Sequence, residues 1–106
     1  MIERAQKALD ILLEGNERFT KGESTVSNRC VETLKAHKDG QSPIACIVTC
    51  SDSRVIPEMI FDKGFGELFV VRCAGAVIGE NILESVEYAV DHLKVCLLYT
   101  SPSPRD

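Results

Sequence analysis

The 106 residues contain no CxxC pair, no excess of basic side chains and no long uninterrupted apolar run. Each absence closes off a class of protein. The five cysteines (Cys30, Cys46, Cys50, Cys73 and Cys96) are odd in number and form no CxxC pair, which argues against a complete disulfide framework. Twelve Lys and Arg against sixteen Asp and Glu leave a net charge of −4, so no basic surface points to a nucleic-acid partner. No apolar stretch is long enough to cross a bilayer, and no membrane partner is expected. The opening residues, MIERAQKALDILLEG, are broken by charges and lack the apolar core and small-residue cleavage site of a secretory signal. A cytoplasmic address is expected.

What is present fits one globular domain: the length suits a single core, and 44% hydrophobic content is ordinary. Ile2, Ala5, Leu9, Leu12 and Leu13 recur at helical spacing, which predicts an amphipathic helix ending near Gly15 or continuing to Phe19. A second, weaker helix is read over residues 31–38, with Val31 and Leu34 inward. IACIVTC is too short for a helix and suits a strand buried on both faces. Pro57 fits the first turn of a short helix over 58–62, and LFVVR (68–72) reads as a second buried strand. Ile82, Val86, Ala89, Val90 and Leu93 form the apolar stripe of a further helix, and VCLLY (95–99) reads as a third strand. This alternation predicts an α/β fold with a parallel βαβ sheet flanked by helices. Ligands of such sheets gather at the carboxyl ends of strands, where Cys50 and Arg72 stand.

The residues TCSDSRV (49–55) carry the densest chemistry. A thiolate is a good zinc donor, but a catalytic zinc needs about three protein ligands. Arg54 can grip the Asp52 carboxylate with two hydrogen bonds, orienting it and keeping it ionised. The plainer reading makes Asp52 a turn residue or a cap for the helix at Pro57, and Arg54 a surface ion pair. Cys46 and Cys96 lie in apolar runs and read as core residues, and Cys30 shows no chemistry. His37 and His92 are the two histidines, and neither has a cysteine three residues away. The residues alone therefore supply one good metal donor, Cys50.

LLEGNERF, SPIACIVTCSDSRVIPEMIFDKGFGELFVVRCAGAV and ENILESVEYAVDHLKV together resemble the β-class carbonic anhydrases, over about residues 8–95. The resemblance implies Cys50 as a zinc ligand and Asp52 with Arg54 as the active-site dyad. It implies zinc as cofactor, one per subunit, and CO2 and bicarbonate as substrates of a reversible hydration. It also implies a homodimer or higher oligomer, with the N-terminal helix against the partner subunit. The family's Arg-Asn-Ala-Gly is here Arg72-Cys73-Ala74-Gly75, and Cys73 is expected to be structural rather than a substitute ligand.

The family's remaining ligands belong to a His-x-x-Cys motif after the third strand, near residues 101–106, and this chain reads CLLYTSPSPRD there. Residues 1–95 are accordingly expected to be the N-terminal part of the family domain, and 96–106 an atypical tail, disordered or foreign in origin. On this reading the chain alone is inactive. The alternatives are a non-catalytic fragment or dimerisation module, and a related zinc enzyme acting on CS2 or COS.

Overall fold

The computed structural model describes residues 2–25, 29–76 and 78–100. In chain order they form α1 (Ile2–Thr20), α2 (Val31–Ala36), β1 (Ala45–Cys50), α3 (Pro57–Ile60), β2 (Leu68–Cys73), α4 (Glu80–Asp91) and β3 (Leu97–Thr100). The strands make one parallel sheet in the order β2-β1-β3, so the expected α/β arrangement is present. Residues 101–106, where the second half of a zinc site would fall, lie outside the described residues.

β1 is central because its sequence leaves it no polar face: all six residues are buried. Strand geometry sends alternate side chains to opposite faces. Ala45 and Ile47 join Leu12 and Leu68 on one side, with Phe61, Val70 and Leu97 packed around them. Cys46 and Val48 join Val71 and Ala89 on the other, with Phe69, Ile82 and Val86. α1 therefore covers one face and α4 the other. The chain leaves β1 for β2 on one side and later reaches β3 on the other, so the strand order reverses at β1, and at its carboxyl end a crevice opens in folds of this kind.

The LLEGNERF segment explains itself in this packing. Leu12 is buried against the sheet, and a Cβ on Gly15 would run into the Phe61 carbonyl. Asn16 Nδ2 donates to the Ile60 carbonyl at 2.9 Å, and Arg18 Nε donates to Asp62 Oδ2 at 2.6 Å. Asp62 is buried, in a left-handed conformation (φ 51°), and also accepts from the Thr25 amide at 2.9 Å. The Arg18 hydrogen bond, then the Thr25 amide and the charges of Arg18 and Arg29, hold its carboxyl below the ordinary range against the opposing effect of burial. One helical face thus locks α1 to the end of α3 in the same chain.

Several expectations need correction. LFVVR, read as a buried strand, is fully buried only at Leu68 and Val71, and Arg72 is exposed. Val31 and Leu34 do not point inward: both are more than half exposed, and α2, only six residues long, buries nothing. Val90 is also half exposed, so the inward stripe of α4 narrows to Ile82, Val86 and Ala89. Cys46 is a core residue as expected, while Cys96 is only partly buried.

Gly15→Ala sets helix propensity, worth about 1 kcal/mol in favour of alanine, against a clash with backbone that cannot rotate away. The clash prevails, and denaturant melting is expected to show a loss of about 1–3 kcal/mol. A gain in stability would mean that α1 does not sit on α3.

Candidate active site

β1 ends at Cys50, whose side chain is buried at the carboxyl edge of the sheet. Its Sγ accepts the Asp52 amide at 3.4 Å and the Gly75 amide at 3.3 Å. Gly75 reaches it from a turn at Ala74–Ala76 that follows β2, and its φ of 69° is one that glycine adopts without strain. Two loops therefore close over one sulfur and fix its position.

Asp52 follows in a tight turn. Its Oδ1 accepts the Arg54 amide at 2.8 Å and Arg54 Nε at 3.0 Å, while Oδ2 accepts Arg54 Nη2 at 2.7 Å. The Val55 amide bonds the Asp52 carbonyl at 3.0 Å. The turn and the fork expected as alternatives are both present, on the same two residues. The cap is not: α3 begins after Ile56 with no side-chain cap. Arg54, first through its side-chain hydrogen bonds, then its amide and its charge with that of Arg72, lowers the Asp52 pKa to about 2. A pKa below the ordinary carboxylate value means that the fork is complete above about pH 4 and is lost as pH falls through about 2. Arg54 is largely exposed, so salt weakens its charge contribution.

Arg72 was placed at a strand end by sequence, but its work is visible only in three dimensions. Nε donates to the Cys50 carbonyl at 3.3 Å, and Nη2 donates to the carbonyls of Asp52 at 2.9 Å and Val55 at 2.7 Å. It ties the whole C-x-D-x-R loop to β2. The signal in the sequence was an arginine closing an otherwise apolar strand.

Zinc fits this site only in part. Among the described residues no three His, Cys, Asp or Glu side chains are grouped to hold a metal ion. His37 Nδ1 pairs with the Thr33 carbonyl at 2.9 Å, and its ring packs where a Gly66 side chain would be. His92 caps α4 and stacks on Tyr88 at 5.1 Å. Cys50 and Asp52 are the donors this loop presents, and they do not make a complete zinc site. Beside the loop lies a cavity of about 180 Å³ lined by Leu12, Asn16, Thr49, Val55, Phe61 and Tyr99 among others. The buried Thr49 hydroxyl on its wall has no hydrogen-bond partner among the described residues.

The family profile described as carbonic anhydrase matches residues 45–99, from the first residue of β1 into β3. Carbonic anhydrase 2 of Mycobacterium tuberculosis is 48% identical over 87 residues, covering 82% of this chain and 42% of that protein. The carbonic anhydrase of Mycolicibacterium smegmatis is 44% identical over the same shares. Among solved structures, the β-carbonic anhydrase CafA of Aspergillus fumigatus superposes with a TM-score of 0.63 at 30% identity, covering 67% of this chain and 36% of its own. The chain thus spans about two fifths of the length of the curated relatives it matches.

The carboxyl carbon shift of Asp52, followed by NMR, should titrate with a midpoint near 2. In Arg54→Ala the midpoint should rise towards the ordinary value of about 4, short of it by what the residue-54 amide and Arg72 still contribute. A wild-type midpoint near 4 would show that the fork does not form in solution.

Proposed function

Since this chain belongs to the β-class carbonic anhydrase family, we propose that its 49–55 loop is one half of a zinc-dependent site for the reversible hydration of CO2 to bicarbonate and a proton. The observation that carries this is the Asp52 carboxylate, gripped by Arg54 two residues beyond a buried Cys50 at the crevice end of the central strand. In the proposal Cys50 is a zinc donor and Asp52 and Arg54 are the catalytic dyad. Residues 1–95 are the N-terminal part of the family domain, the profile match runs on to residue 99, and in the proposal the tail after it departs from the family. Zinc, completed by donors beyond the described residues, would supply Lewis acidity.

What the chain's own residues do follows from their hydrogen bonds. A carboxylate has about four acceptor positions, and Arg54 occupies three of them at Asp52. The remaining position lies on Oδ2, where an O–H of water or bicarbonate would donate. With a pKa near 2 the carboxylate stays ionised at neutral pH, so it accepts and orients that O–H without itself holding the proton.

We also propose an oligomer of this chain and a cytoplasmic setting. Ile2, Leu13, Met59, Phe65 and Leu98 are each more than a third exposed, apolar side chains that association would cover. A cysteine that serves as a metal donor has to stay reduced, which suits a reducing compartment. No described helix is long and apolar enough to cross a membrane. A second reading, a non-catalytic module, is favoured by the lack of any metal-holding cluster among the described residues.

The 106-residue chain by itself is expected to bind well under one zinc per chain and to show no CO2 hydration by stopped-flow. Tight 1:1 zinc that is lost in Cys50→Ser would contradict the half-site. Residues 8–95 grafted onto the remainder of the Mycobacterium tuberculosis relative should hydrate CO2, and Asp52→Asn in that graft should lower the rate about 10²-fold through lost positioning. A folded, zinc-loaded graft without activity would favour the non-catalytic module.

A further inference from the structure

β1 and β2 are parallel and in register from Ala45↔Leu68 to Cys50↔Cys73, so the two strands end on a pair of cysteines directly opposite each other. In-register residues of parallel strands send their side chains to the same face. The cores agree: Cys46 and Val48 share the α4 side with Phe69 and Val71, and two further residues along each strand stand Cys50 and Cys73. Neighbouring strands lie about 4.8 Å apart, inside the roughly 4.4–6.8 Å between Cα atoms that a disulfide spans. The backbone beyond the pair keeps the two strand ends together. Ser51 donates to the Cys73 carbonyl at 3.0 Å, and the next residues on the β2 side form the Ala74–Ala76 turn that folds back onto Cys50 Sγ.

We propose that Cys50 and Cys73 are a redox pair, a modification site that a peroxide closes to a disulfide and a dithiol reductant reopens. Exposure sets the order of events: Cys73 is partly exposed, whereas Cys50 is buried. The Cys73 sulfur attacks the O–O bond of hydrogen peroxide, which gives a sulfenic acid and one water. The Cys50 sulfur then attacks that sulfenic sulfur, forming the S–S bond and releasing a second water. Two thiols lose two protons and two electrons, and one peroxide takes them up to become two waters. Its consequence for metal binding rests on the reading of Cys50 as a zinc donor: a disulfide would withdraw that donor, and bound zinc would shield it from oxidation.

The test is peptide mapping of the 106-residue chain after hydrogen peroxide treatment in the presence of a chelator, with maleimide labelling of the remaining thiols. Two of the five cysteines should be lost to labelling together and recovered by dithiothreitol. Trypsin should yield peptides 39–54 and 73–94 joined by a bond that fragmentation places on Cys50 rather than on Cys46, which shares the first peptide. The species should run as a monomer on a non-reducing gel. In Cys50→Ser and in Cys73→Ser the joined peptide should vanish. Should either variant fail to fold, the wild-type map alone decides the matter. Absence of the 39–54 to 73–94 link, or a link from either residue to Cys30 or Cys96 instead, would overturn the pairing. In a zinc-loaded graft, a link that forms equally fast with zinc bound would leave the redox pair standing and count against Cys50 as a zinc donor. Zinc bound through Cys50 in a graft whose zinc-free form never makes the link would do the reverse.

Discussion

β1 meets no solvent on either face: its six residues are buried, β2 and β3 pair with it on both sides, and α1 and α4 cover it above and below. A strand enclosed in this way has its register fixed by the alternation of its side chains. Its last residue, Cys50, is therefore delivered to the edge of the sheet as reliably as any core residue. The loop that follows inherits that precision, since Arg72 on β2 holds the Cys50 carbonyl and, in the loop, those of Asp52 and Val55. Shifting β1 by one residue would carry Cys50 to the α1 face and put Thr49 on the α4 side.

Charge in this region is divided between two arginines with different tasks. Arg72 spends its donors on backbone carbonyls and so shapes the loop, while Arg54 spends its donors on the Asp52 carboxylate and so sets its ionisation. A fork two residues from its carboxylate is possible only because the chain turns between them. The turn is held by the Arg54 amide on Oδ1 and the Val55 amide on the Asp52 carbonyl. The same local chemistry thus makes a turn and an oriented, ionised acceptor.

The sheet was legible because IACIVTC and LFVVR have no polar face, and the helix α4 because part of its stripe is strongly periodic. Helix α2 was misread on its burial: two apolar residues three apart make a weak signal, and six residues leave little to pack. The roles of Gly15, Asn16 and Arg18 were hidden because their partners, Phe61, Ile60 and Asp62, are some forty-five residues away in sequence. Arg72 was hidden for the same reason, being separated from the Cys50 carbonyl by 22 positions. Cys50, Asp52 and Arg54 were legible as a group since their geometry is local to one turn. The pairing of Cys50 with Cys73 required the register of two strands, which no spacing in the sequence reveals.

The central claim is that the fold alone, with no metal bound, holds the loop after β1 in its working shape. Side-chain Nε–H resonances of Arg54 and Arg72, recorded by NMR on the metal-free chain in chelator, test it most directly. Both should be resolved and slow to exchange with solvent, with the Arg72 signal unaffected by Arg54→Ala because its acceptors are backbone carbonyls. Rapid exchange and averaged shifts at both arginines would contradict the account, for the loop would then not be held in shape by the sheet.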